Sequence, residues 1–518
     1  MAELFAPLDR LLAGGGDPRL TINPASGLNE YGCRPHPCPD TLSFSSSTAT
    51  SVSQRAYDRA QDARDALMRS AIALGMEAAF DARIETMRDE LRACLGVSPD
   101  SADVVFSPSG TDSQLQALFV ARALLGAAMT TVVVAADQTG SGTVHTARGC
   151  HFSAFTANGS RVRKGEPIAG LAQSVDSTAL RLFDEAGQAR PQIANDSLVL
   201  AAVERSIASG SRVLLQIMDS SKFGFRAPSD QCLDEIEDRW PGRVQVVVDA
   251  CQMRLGRGRL KNYLRRGYLV IITGSKFFTG PPFSGALLVP TAFARNVGAT
   301  TDIPSGFFEY SNQSDWPRNW QRTRSKFPTR INFGQWLRWE AALEEITAYY
   351  RLPCKFRLDS LRTFGSGVER TIGSSRALVL LPPQQRSGAN ATDDEELAER
   401  TIFPFAVRRG GRLLSLEDCR MLYRTLARGA PSHDNSEPVI KPCLIGQPVA
   451  LGGAINSAAA LRISASARLV SESFSSNEDL ARRNLQRALD DVAHVVTEIE
   501  TLLSKMESLQ PAGIAHEA

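Results

Sequence analysis

Lys276 lies in Thr273-Gly274-Ser275-Lys276-Phe277-Phe278-Thr279-Gly280-Pro281-Pro282, a small-residue turn that follows the apolar run Leu269 to Thr273. An earlier apolar run, Val244 to Asp249, ends in an acid 27 residues before that lysine. A lysine amine at the end of a buried run is suited to covalent chemistry, because its neutral form adds to a carbonyl to give a Schiff base. A carboxylate closing a buried strand needs a cationic or hydrogen-bonding partner. One kind of ligand answers both: an aromatic cofactor with an aldehyde for the amine and a ring nitrogen for the carboxylate. The acid keeps that nitrogen protonated, so the ring can accept electrons from a carbanion.

Upstream, Phe106-Ser107-Pro108-Ser109-Gly110-Thr111-Asp112 separates an apolar strand, Asp103 to Phe106, from an alanine- and leucine-rich helix, Ser113 to Leu125. A Gly-Thr pair opening a helix offers free N–H groups, a hydroxyl and the positive end of the helix dipole, which suits a phosphate. Further on come Met218-Asp219-Ser220-Ser221-Lys222-Phe223-Gly224 with Pro228, then Gln252 three residues past the acid, Asn332-Phe333-Gly334, and Ala460-Leu461-Arg462-Ile463-Ser464. In this order, over roughly residues 100 to 470, the segments resemble the class V aminotransferase and cysteine desulfurase branch of the fold type I pyridoxal-phosphate (PLP) enzymes.

The resemblance implies roles. Lys276 would be the Schiff-base lysine and Asp249 the acid at the pyridine nitrogen. Ser109, Gly110 and Thr111 would cradle the cofactor phosphate, with hydroxyls added from Thr273 and Ser275. Ser221 and Gln252 would reach the ring hydroxyl. Arg462 would grip a substrate carboxylate, with Arg468 as the fallback. The Asn332 turn, with Arg330 before it, would complete the phosphate site of a neighbouring subunit, so the resemblance implies a homodimer. Three departures stand out. Ser275 replaces a frequent histidine, and Ser221 stands where the family has asparagine. The window that should hold a ring-stacking residue reads Asp137-Gln138-Thr139-Gly140-Ser141-Gly142, without a ring. Either Gln138 or Thr139 covers the cofactor face, or His145 or His151 folds back to it. Lys222 is either a second amine in the site or half of a structural ion pair.

The composition is that of a globular chain: 518 residues, 43% apolar, 22% charged and a net charge of +2. That balance gives no electrostatic case for nucleic acid or an anionic membrane. No run approaches the roughly 18 apolar residues of a membrane span. Met1 to Arg10 carries acids and no long apolar core, unlike a signal peptide. Nine scattered cysteines fit reduced thiols in the cytoplasm. Cys33, His36 and Cys38 lack a second ligand pair nearby and alternate with Pro35, Pro37 and Pro39. They are expected in a loop at the substrate entrance, beside Asn29 and Tyr31, rather than at a zinc ion.

Residues 1–55 read as an N-terminal arm with short helices, 56–345 as the cofactor-binding large domain, and 346–518 as a smaller α+β domain. Short apolar runs alternating with amphipathic helices predict an α/β fold with a mostly parallel sheet. Residues 158–200 read as an insertion near the site mouth, with a hairpin over Arg161 to Ile168. The aromatics Phe307, Phe308, Tyr310, Trp316 and Trp320 either pack on the domain or form a lid or dimer contact. Residues 384–397 read as an exposed loop, Glu478 to Met506 as an amphipathic helix, and the last dozen residues as frayed.

The expected function is an enzyme acting on an amino acid or related amine, by aminotransfer or class V-type elimination. Desulfuration would need a mobile nucleophilic cysteine; Cys443 is the candidate by position, though Lys441 to Gly446 lacks the family's small-residue loop. A PLP-dependent decarboxylase is the alternative enzyme, and a non-catalytic regulator on the same fold is the alternative outside catalysis.

Overall fold

Apolar residues fill successive positions of the strands because both faces of the central sheet are covered. In Val246-Val247-Val248, the first and third residues pack in one core and the middle one in another. Ile271 and Ile272 divide in the same way. Continuous rather than alternating runs are the signature of a sheet buried on both sides. The computed structural model describes residues 2–172, 175–300, 302–384, 395–429, 441–452 and 457–508.

The sheet has seven strands: β1 (Ala102–Ser107), β2 (Met129–Val134), β3 (Val175–Leu180), β4 (Arg212–Met218), β5 (Val244–Asp249), β6 (Leu269–Thr273) and β7 (Gly285–Pro290). Their spatial order is β1-β7-β6-β5-β4-β2-β3. All neighbours run parallel except β7, which is antiparallel to both β6 and β1. Register pairs Met218 with Asp249 and Asp249 with Ile271, so β4, β5 and β6 end at one edge. Ligands bind outside the carboxyl ends of such strands.

Before the sheet, helices α1 (Gln54–Leu74) and α2 (Met76–Leu95) are separated at Gly75, where φ is 78°. Helix α3 (Gly110–Leu125) follows β1 directly. After β7, helix α4 (Phe333–Tyr350) packs beneath the Lys276 turn: Trp339 Nε1 donates to the Gly285 carbonyl at 3.0 Å and Arg338 Nε to that of Phe283 at 2.6 Å. A second, five-stranded antiparallel sheet is built on β8 (Ile402–Arg409), flanked by β9 (Gly446–Ala450) and β10 (Ala459–Ser464) on one side. The long helix Glu478–Ser508 closes the described chain.

Two expectations are corrected. Residues 158–200 are not a peripheral insertion throughout, because Val175–Leu180 is the edge strand β3 of the main sheet and helix Gln192–Ala208 begins within them. Its half-exposed sequence Val-Asp-Ser-Thr-Ala-Leu hides it among loops. No hairpin forms over Arg161 to Ile168; isolated bridges Phe155–Arg161 and Cys150–Pro167 stand there instead, around a left-handed Gly165. The aromatic segment packs inward. Phe307, Tyr310, Trp316 and Trp320 are buried against Phe119 of α3 and its neighbours in a second core. The expected loop at 384–397 falls mostly outside the described residues, as does the chain after 508.

Candidate active site

The carboxyl ends of β4, β5 and β6 open onto a cavity of about 340 Å³. Its wall holds Lys276, Asp249, Cys251, Thr273 and Ser275 from the sheet edge, and Ser109, Gly110, Thr111 and Gln114 from the start of α3. Residues of the N-terminal arm (Arg19, Tyr31, Ser47, Thr48) and of the C-terminal part (Gln447, Arg462) complete it.

The Lys276 turn is closed on itself. Gly274 N–H donates to the Ser284 carbonyl at 2.9 Å, Gly280 N–H to that of Gly274 at 2.9 Å, and Thr279 N–H to that of Lys276 at 2.8 Å. Thr279 and Phe283, neither of them glycine, adopt positive φ of 58° and 71°. Ala135 (57°), ahead of the ring-free loop, and Met253 (52°), just past Gln252, do the same. Such residues cost of order 1–3 kcal/mol each and gather where a site dictates the backbone. Burial, opposed by Cys251 and Asp249 and aided by Arg462 and Arg254, brings the Lys276 amine down to about 8. Asp249 ends β5 and accepts the Cys251 N–H at 3.1 Å.

At the head of α3, Ser109 Oγ caps the helix by accepting Asp112 N–H at 3.2 Å. The hydroxyl in turn donates to the Asp112 carboxylate. Gly110 approaches the sheet closely: a Cβ there would stand 2.6 Å from Cys251 Sγ and 3.2 Å from Thr273 Cγ2. Only a glycine brings the helix N-terminus this near to the Lys276 strand.

Arg462 lies on β10, buried, over Gly446, whose missing side chain leaves room for its guanidinium. Its Nη2 donates to Thr48 Oγ1 at 2.8 Å, while Nε and Nη1 have no partner among the described residues. Burial lowers it to about 10. Lys222, from the turn after β4, also lines the cavity. Burial, then the positive charges of Arg462 and Lys276, bring its amine down to about 7.

No family model matches the chain, and no curated protein sequence does. Solved structures do. The cystine C-S lyase C-DES, solved with its reaction product cysteine persulfide, superposes with a TM-score of 0.51 at 13% identity, covering 87% of this chain and 98% of that one. The NifS-like protein from Rickettsia africae gives 0.50 at 12% identity over 90% and 99%. The cysteine desulfurase CsdA from Escherichia coli gives 0.50 at 13% over 89% and 95%. The fold is that of the fold type I PLP-dependent enzymes.

On this fold type I scaffold, most of the expected residues converge on the cavity: Lys276, Asp249, Ser109, Gly110, Thr111, Thr273, Ser275 and Arg462. Four expected site residues do not line it, each for a local reason. The Thr139 hydroxyl donates to the Ala136 carbonyl at 3.0 Å, and Gly140 and Ser141 reach the cavity instead. Ser221 Oγ accepts the N–H groups of Phe223 and Phe225, both at 3.1 Å. Gln252 is shared between the Ser47 carbonyl, at 3.1 Å, and Arg254, at 2.9 Å. His145 lies against Gly165, and His151 Nδ1 meets Tyr310 Oη at 2.7 Å. Arg330 donates to the Phe308 carbonyl, and Arg468 to the carbonyls of Ser51 and Thr279. Asn332 caps α4. The contributions of Arg19, Ser47, Thr48 and Gln447 were not signalled in the sequence, since each comes from a segment without a motif.

Proposed function

We propose that the protein is a PLP-dependent enzyme acting on an amino acid or a related amine, with Lys276 carrying the cofactor and aminotransferase or class V-type lyase chemistry. The observation that carries this reading is one cavity that gathers a half-buried lysine, a strand-end carboxylate and a glycine-opened helix N-terminus. The residues fit the cofactor. The amine of Lys276 is shifted toward its neutral, nucleophilic form. Gly110 provides a cradle that a Cβ would fill. Among the described residues, Arg462 keeps two buried donors unpaired.

PLP, when bound, supplies an aldehyde for amines and a ring that withdraws electrons from the substrate Cα. The chain's residues supply the rest. Ser109 to Thr111, with Thr273 and Ser275, would hold the phosphate at the positive end of α3. Asp249 would hold the proton on the ring nitrogen. Arg462, braced by Thr48, would orient the substrate carboxylate. Lys276, once displaced by the substrate amine, would move the proton at Cα.

Desulfuration has less support from this geometry. Cys443 is buried, outside the cavity lining, and its thiol donates to Glu498 at 3.0 Å. Burial and Glu498 push that thiol up, whereas a persulfide acceptor needs an accessible thiolate. We further read the protein as a homodimer. The nine cysteines are all free thiols, which supports the cytoplasmic reading. Among the described residues no helix is long and apolar enough to cross a membrane.

The test is direct. Protein purified with PLP is expected to absorb in the visible, and borohydride reduction followed by peptide mapping is expected to label Lys276. Lys276→Ala should lose both signals. A label on another lysine, or an unchanged spectrum in the variant, would reject the assignment. Product mass analysis across an amino-acid panel then separates aminotransfer from elimination and decarboxylation.

A further inference from the structure

Once roles are assigned on that reading, one charge in the cavity is left over. Lys276 carries the cofactor, Asp249 serves its ring, the head of α3 serves its phosphate, and Arg462 answers one substrate carboxylate. Lys222 has no task. Among the described residues its amine makes no hydrogen bond and no ion pair, although it lines the cavity. The turn that presents it is fixed. Asp219 is held by Arg259 and Tyr263, and Ser221 Oγ ties down the two N–H groups that follow. The acids whose charge it feels are already engaged: Asp249 on Cys251 N–H, Asp137 on the N–H groups of Leu182 and Phe183. Lys222 is partly exposed and lines the cavity, so its unpaired cation stands ready for a ligand carboxylate where water is only partly present. Two further cations, Arg462 and Lys276, bear on the same spot.

We propose that the substrate of this site is an amino acid with a second carboxylate on its side chain, and that Lys222 is the residue that binds it. Arg462 takes the α-carboxylate with the donors Thr48 leaves free, and the side-chain carboxylate falls to Lys222. Ser141 and Gln447 also line the cavity and add polar groups to it. The proposal rests on the PLP reading above.

The experiment titrates the PLP-loaded enzyme with L-glutamate against L-glutamine, and with L-aspartate against L-asparagine, following the visible band. The acidic member of at least one pair is expected to bind about tenfold tighter or more, as a charge-assisted contact implies. Lys222→Met should abolish that preference, and Lys222→Arg should keep it. Equal affinities within both pairs, or a preference that survives in Lys222→Met, would overturn the proposal. So would Lys222→Met that loses PLP itself, since Lys222 would then serve the cofactor. Absence of any visible band in the wild-type protein sinks the PLP reading and this inference with it. A normal band without an acidic preference sinks this inference alone.

Discussion

A lysine surrounded by apolar strands gives up its proton more readily than one in water, and its nucleophilicity follows. Lys276 is brought down to about 8 by burial, with Arg462 and Arg254 on one side of the balance and Cys251 and Asp249 on the other. The second amine, Lys222, adds positive charge nearby. An unperturbed lysine titrates near 10.4. Because the neutral amine attacks the aldehyde, capture of PLP by cofactor-free protein is expected to accelerate as pH rises and to level off with a midpoint near 8. Stopped-flow absorbance across pH 6 to 11 measures it, and a midpoint near 10 would mean that the amine stands in water. Asp249→Asn makes a complementary prediction at the same scale. The amide preserves shape but cannot stabilise a ring cation, so cofactor should remain on Lys276 while turnover falls on the order of 10²-fold. Absorbance and product assays on one sample separate the two effects.

At the scale of elements, the site depends on how closely α3 approaches the strand ends. Gly110→Ala would put a methyl group 2.6 Å from Cys251 Sγ. Overpacking of this kind costs about 1–3 kcal/mol, which urea unfolding would register. It should also weaken PLP binding, because the helix N-terminus retreats from the phosphate. Adding Cys251→Ala removes the obstructing sulfur and is expected to recover most of both losses; no recovery would assign the glycine to backbone conformation instead. The elements that carry these residues were legible in the sequence because their signals are local. A buried strand that ends in Asp249, and a strand-turn-lysine at Thr273 to Lys276, need no distant partner to be read. Edge strand β3 was not legible, since a half-exposed Val-Asp-Ser-Thr-Ala-Leu has the composition of a loop. The aromatic segment misled in another way. Trp316 and Trp320 lack a regular period because they fill gaps under α3 rather than a helix face.

The whole molecule supplies what no single stretch of chain contains. The arm threads between the two sheets: Ser464 Oγ meets Ser47 Oγ at 2.9 Å, Gln252 donates to the Ser47 carbonyl, and Arg254 reaches Ser46, Thr401 and the Ala465 carbonyl. Distant parts of the chain are thereby brought to one wall, which is why Thr48 escaped notice in the sequence while the contiguous motifs did not. The homodimer reading is tested at this scale by sedimentation of the 56.1 kDa chain. A fully active monomer would exclude it; Phe307, Tyr310, Trp316 and Trp320 are buried within the protomer, so these four rings are not available to a dimer contact. Thr48→Val offers the sharper test of the assembled site. The change keeps the shape of the side chain and removes the oxygen that holds Arg462 Nη2, leaving a third buried donor unpaired. Hydrogen bonds to charged groups are worth about 1.5–3 kcal/mol, so amino-acid affinity should fall roughly tenfold or more. PLP affinity and the visible band should stay unchanged, because the hydrogen bonds that Thr48 Oγ1 accepts come from Arg462 and the Gln447 N–H, and not from the lysine turn or the head of α3. Loss of both affinities together would mean that the arm holds the fold of the site as a whole, and loss of neither would mean that Arg462 is positioned by Gly446 and the β-sheet alone.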